Sequence, residues 1–165
     1  MKTLYMKQKV LSLNEKFSIK DQEENIIYSV KGSFLKIPKS FTMYDSNEEE
    51  IGTVTKELFK LLPKFSVKVV GASPILIEKK LSFFKANYHI DSENIQIQGD
   101  WLDKNYAIER NGIEIARINQ KWLAMNSTYE ISILEENYEH LIILLVAAID
   151  FVKAEERAAA SSSSV

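Results

Sequence analysis

Leu141-Ile142-Ile143-Leu144-Leu145-Val146-Ala147-Ala148-Ile149-Asp150-Phe151-Val152 is the strongest apolar run in the chain, interrupted by one acid. Read as a helix it has no polar face, and such a helix belongs either in a protein core or in a membrane. Length decides between them: at about 1.5 Å per residue the run spans ~18 Å, against a hydrocarbon core of about 30 Å. The reading is a buried helix over about 138–157, and the rest of the chain must enclose it.

A repeat supplies the enclosure. Five times an apolar residue is followed by an apolar residue four positions later, an aromatic eleven later and an apolar residue thirteen later. The copies are Met6, Val10, Phe17, Ile19; Val30, Phe34, Phe41, Met43; Val54, Leu58, Phe65, Val67; Ile77, Leu81, Tyr88, Ile90; and Ile118, Trp122, Tyr129, Ile131. A sixth, Ile97, Trp101, Tyr106, Ile108, is two residues shorter in its middle. Spacings of four and two put the markers of each arm on one face of a strand. The opposite face is mostly polar, as in Lys7 and Lys9, Thr55 and Glu57, or Asn119 and Lys121. Polar outside and apolar inside describes antiparallel strands with one wet face.

Turn compositions separate the arms and the units, and Asn111-Gly112 is the strongest hairpin signal among them. Six hairpins give about twelve strands, too many for a flat open sheet, and closure removes exposed edges. The fold expected is therefore mainly β: a closed antiparallel barrel of about twelve strands around a central hydrophobic C-terminal α-helix. A barrel of that size needs more filling than its own side chains provide, and the helix provides it. Residues 1–157 are read as one domain, and Ala158–Val165, of low complexity, as a disordered tail or a non-native appendage.

Bulk composition narrows the function classes. A formal net charge of -2 over 165 residues gives no basis for general nucleic-acid binding. With no cysteine there are no disulfides or thiolate metal sites, and His89 and His140 alone do not make a histidine zinc site. The first nine residues contain no apolar stretch of secretory length, so the expectation is a cytoplasmic protein.

Several motifs then point to a family. Tyr5-Met6-Lys7-Gln8-Lys9, Gln98-Gly99-Asp100-Trp101, Tyr106-Ala107-Ile108-Glu109-Arg110, Gln120-Lys121-Trp122 and Ala147-Ala148-Ile149-Asp150 stand in an order and spacing that resembles bacterial members of the LURP-one-related, tubby-like family. The resemblance runs from about Met1 to Lys153. It implies a twelve-stranded barrel around a hydrophobic C-terminal helix, as in the tubby C-terminal domain and the phospholipid scramblases. It also implies phosphoinositide or membrane association, without a motif that carries either activity residue by residue.

Two groups of residues are candidate sites. By repeat parity Lys56 and Lys79 point to the core side, at the position held elsewhere by Gln8, Gly32, Gly99 and Gln120. Asp150 is the lone acid of the apolar run, and a buried unpaired charge is costly. It is expected to accept hydrogen bonds from Lys56, Lys79 or backbone amides, or else to sit solvated at the barrel mouth. The second group is Lys79, Lys80 and Lys85 beside Phe83 and Phe84, a combination that suits an anionic headgroup at about 1 kcal/mol per cation. The alternative is that these lysines only solubilise a wet face.

Asp45-Ser46-Asn47-Glu48-Glu49-Glu50 lacks the glycine and ligand spacing of a calcium loop, Glu135 and Glu136 read as solvated loop acids, and no nucleophile–base constellation is present. The expectation is a non-enzymatic binding module without cofactor or metal, for an anionic lipid headgroup or phosphorylated ligand and peripheral to a membrane. The alternative is a protein-interaction scaffold or regulatory protein.

Overall fold

The computed structural model describes residues 1–7, 17–33, 37–58, 64–81, 86–92, 94–100, 105–123 and 126–162. Twelve strands precede a long helix: β1 Lys2–Lys7, β2 Phe17–Lys20, β3 Ile26–Gly32, β4 Ser40–Tyr44, β5 Glu50–Lys56 and β6 Lys64–Val69 form the first three hairpins. Three more follow, β7 Ile75–Leu81 with β8 Ala86–Asp91, β9 Ile95–Asp100 with β10 Asn105–Arg110, and β11 Ile113–Leu123 with β12 Asn126–Ile133. A 3-10 turn at Glu136–Tyr138 leads into α1, Glu139–Ser162.

The strands make one antiparallel sheet in the order β8-β7-β6-β5-β4-β3-β2-β1-β12-β11-β10-β9. The first and last strands are neighbours, with Leu4 opposite Ile131 and Met6 opposite Tyr129. The repeat markers set the register: Met6 faces Ile19, Val30 faces Met43, Val54 faces Val67, Ile77 faces Ile90 and Ile118 faces Ile131. A one-residue slip would turn every marker outward, so the buried face fixes each pairing. Asn111 and Gly112 both take positive φ, 53° and 74°, as a type I′ hairpin requires.

Inside the sheet lies α1. Residues Ile142–Val152 are all buried, and their contacts come from widely separated strands. Phe151 lies between Phe65 and Phe41 (5.4 and 5.8 Å between ring centroids), Glu139 meets β1 and β3, and Asp150 meets β12. Gly52 on β5 allows the helix to come this close: a Cβ there would run into the Lys68 carbonyl oxygen and lie 2.5 Å from Leu144 Cδ1.

Three differences from expectation stand out. The sheet wraps the helix, but among the described residues no ladder joins β8 to β9, so closure along that seam is not observed. The connection between them is drawn to the β10–β11 turn instead, where the Asn111 N–H donates to the Asn94 carbonyl at 2.9 Å. Second, α1 continues to Ser162, so five residues read as tail are helical, while 163–165 lie outside the described residues. Alanine is the strongest helix former and extends a helix without packing; Ala158–Ser162 are all exposed. Third, the marker Leu58 is exposed, because β5 ends at Lys56 before reaching it.

Candidate functional site

The two ends of the helix differ in chemistry. Around its start gather the connections β2–β3, β4–β5, β6–β7, β8–β9 and β10–β11. Two of these, Asp21–Asn25 and Asp45–Glu49, are built alike, 24 positions apart. In each the leading aspartate accepts backbone N–H groups two and four residues on: Glu23 and Asn25 onto Asp21 (both 2.9 Å), Asn47 and Glu49 onto Asp45 (2.8 and 2.9 Å). Asp21 is held below the ordinary carboxylate range, chiefly by the Asn25 side-chain amide. These acids are engaged in shaping turns. Together Asp21, Glu23, Glu24, Asp45, Glu48, Glu49, Glu50, Glu135 and Glu136 make this end acidic.

A cleft of about 940 Å³ opens at the same end, between the β6–β7 connection, the β8–β9 connection, the end of β10 and the first turn of α1. Glu139, the first residue of α1, is buried in its floor. It accepts from Lys2 Nζ and from the Tyr28 hydroxyl, both at 2.6 Å. An acid here also complements the positive end of the helix dipole. Burial, then the Glu139 carboxylate, pushes the Tyr28 phenol far above its ordinary value, so it stays a donor. The His140 ring stands edge-on to Tyr28 at 5.8 Å, and the Arg110 guanidinium lies over the Tyr138 ring at 4.6 Å. The sequence marks His140 only as a histidine and Arg110 only as part of a motif; the cluster itself is not legible there, because its members come from segments that only the folded sheet brings together.

Deeper in the molecule a polar chain crosses the core. Lys153 Nζ donates to the Tyr129 hydroxyl at 3.4 Å, and that hydroxyl donates to Asp150 at 3.1 Å. Lys153 and Asp150 are only 5% and 8% exposed. The ammonium also approaches the rings of Tyr129 and Tyr106, at 5.5 and 6.0 Å. Burial raises both phenols well above their ordinary values, the neighbouring Asp150 adding to it, and among the described residues the buried Tyr106 hydroxyl has no hydrogen-bond partner. At the far end of the helix Glu155 accepts from Lys39 Nζ at 2.8 Å and from Lys56 Nζ. Burial works to raise its pKa, but the two lysines outweigh it and hold the carboxyl below the usual range.

Asp150 is buried and accepts from the Tyr129 hydroxyl, a partner not named among those expected from the sequence. Lys56 faces inward as the parity implies, opposite Phe65, but its ammonium bonds Glu155. Five residues along a helix amount to about 7.5 Å, and β5 delivers Lys56 to that lower level. Lys79 and Lys80 are placed as backbone on β7, with Lys79 opposite Tyr88; their side chains, and Lys85 entirely, lie outside the described residues. That end of β7 is also the end of α1 near Lys39, Lys56, Lys153 and Arg157, and so is remote from the acidic turns.

The model of the LURP-one-related family matches residues 2–150. A protein of Bacillus subtilis (strain 168), the uncharacterized protein YxjI, is 28% identical over 150 residues, which cover 90% of this chain and 92% of that protein. The X-ray structure of a protein from Arabidopsis thaliana shares the fold with a TM-score of 0.54 at 12% identity, over 90% of this chain and 92% of that one. Among the described residues no helix is long and apolar enough to cross a membrane.

Proposed function

The chain belongs to the LURP-one-related family, and from that premise we propose that it is a non-enzymatic binding module of the cytoplasm that docks peripherally on anionic lipid headgroups through the finishing end of its helix. The observation that carries this reading is the separation of charge between the two ends. Carboxylates crowd the turns around the helix start, whereas Lys7, Lys39, Lys56, Lys64, Lys79, Lys80, Lys121 and Arg157 stand toward the other pole, where Lys39 and Lys56 share Glu155, Lys64 pairs with Glu78 and Lys121 with Glu130. Such a molecule is turned by an anionic surface so that its basic pole leads.

The same reading takes the sheet as a tubby-like barrel, closed along the β8–β9 seam, that serves as a rigid platform. Lys79, Lys80 and Lys85 are the residues we assign to the headgroup. A free phosphorylated ligand would use the same cations.

Co-sedimentation with vesicles of phosphatidylcholine alone, or with added phosphatidylserine, tests the reading at low and physiological salt. The expected result is pelleting only with the anionic vesicles, weakened by salt and by joint Lys79→Ala, Lys80→Ala and Lys85→Ala substitution. Equal recovery in the supernatant under every condition contradicts it. A protein-interaction scaffold is the second reading. It is favoured by Met1, Ile26, Val70, Ile113 and Leu134, exposed apolar side chains that all border the acidic end.

A further inference from the structure

We propose that the cleft at the start of α1 binds an amphipathic oxyanion, a carboxylate or phosphate monoester carried on an apolar body, with Arg110 as its anchor. This site stands at the opposite pole from the surface docking proposed above and does not depend on it.

The argument begins with the charges on the cleft wall. Lys2 and Glu139 neutralise one another at 2.6 Å, and the Tyr28 hydroxyl completes that pair. Glu136 has the N-terminal ammonium at 3.5 Å. Arg110 is different: among the described residues no carboxylate lies within ion-pairing distance of its guanidinium, and its recorded contact is the face of Tyr138 at 4.6 Å. Stacking on a ring holds the guanidinium plane and leaves its edge N–H groups for another acceptor. A planar fork of donors of this kind matches the two oxygens of a carboxylate, or a pair of phosphate oxygens, through bidentate hydrogen bonds.

The remaining walls say what the oxyanion is attached to. Val69, Ile75, Ile95 and Leu141 line the same cleft, and its volume of about 940 Å³ falls in the range of small-molecule pockets. The β6–β7 and β8–β9 connections both line the cleft, through Ala72, Ser73 and Pro74 and through Ser92 and Asn94. Charge limits the ligand further. Glu135, Glu136 and the acidic turns surround this end, so a polyanion is repelled while one or two charges seated on Arg110 are accommodated. Apolar body, small charge and a bidentate anchor together define the class.

Isothermal titration with octanoate, octyl phosphate and octylammonium, each with the full chain at neutral pH and constant ionic strength, tests the site. Saturable binding of octanoate, octyl phosphate or both is expected, with octylammonium bound far more weakly; which anion binds tighter identifies the headgroup. Arg110→Gln is expected to weaken the anions by roughly ten- to a hundredfold, as loss of a charge-assisted contact does, with an unchanged melting temperature. Ala72→Trp, which fills the mouth without altering charge, is expected to weaken them as well. The proposal is overturned if neither anion saturates, if Arg110→Gln binds them as tightly as the parent, or if octylammonium binds equally well.

Discussion

The Tyr129 hydroxyl takes a hydrogen bond from Lys153 and gives one to Asp150, so a phenol links two buried groups of opposite charge. Removing either charge takes an opposite charge away from the other in the core, at a cost of about 1–3 kcal/mol. Removing both avoids leaving one charge without that compensation. Asp150→Ala and Lys153→Met are therefore expected each to lower stability, and the double variant to lose less than their sum; chemical denaturation of the four proteins measures the difference. Additive losses would disprove the link. Glu155 makes a second prediction. Its pKa is lowered in the fold, so its contribution is present above the unfolded value of 4.5 and is lost as pH falls through the folded value. Denaturation midpoints from pH 6 to pH 3 are expected to fall less steeply in Glu155→Gln than in the parent, and parallel curves would remove the Lys39–Glu155–Lys56 bridge from the account. At this scale the sequence marks Asp150 as a lone acid in an apolar run, but not Tyr129 as its partner. Tyr129 reads as one more aromatic repeat marker, and its hydroxyl becomes visible only when β12 faces the helix.

Among the elements, α1 carries the most consequence. Each of its large buried side chains contributes roughly 2 kcal/mol of burial, and a whole domain is stable by only about 5–15 kcal/mol. A chain ending at Asn137 is therefore expected to lose cooperative unfolding, whereas one ending at Arg157 discards, among the described residues, only exposed helix and keeps its melting temperature. A sharp transition in the shorter chain would refute the role given to α1. The strands were legible because five of the six hairpins repeat the same spacing, and five of the aromatic markers sit opposite the residue two places past a first-arm marker: Gly32 with Phe41, Lys56 with Phe65, Lys79 with Tyr88, Gly99 with Tyr106, Gln120 with Tyr129. The interruption between β8 and β9 was not legible for the same reason. Ile90 and Ile97 carry the marker pattern of their units, and nothing local distinguishes that seam from the others. The cleft was hidden too, since Lys2, Tyr28, Arg110 and Glu139 come from four distant segments that only the folded sheet assembles.

At the scale of the whole molecule, two poles with different charge flank one buried helix. A net charge of -2 conceals this, because composition sums over the whole surface and not over one side of it. The pairing of β1 with β12 and the meander through the hairpins send every inter-hairpin turn to the acidic pole and the lysine-bearing strand ends to the other. The absence of cysteine makes orientation directly measurable, since any cysteine introduced is the sole label site. The decisive measurement places an environment-sensitive fluorophore at Leu58→Cys, on the basic pole, or at Asn47→Cys, on the acidic pole, and records emission with phosphatidylserine-containing vesicles. The account predicts a blue shift for the label at position 58, reversed by salt, and none for the label at position 47. A shift at position 47 instead, or no shift at either, would contradict it.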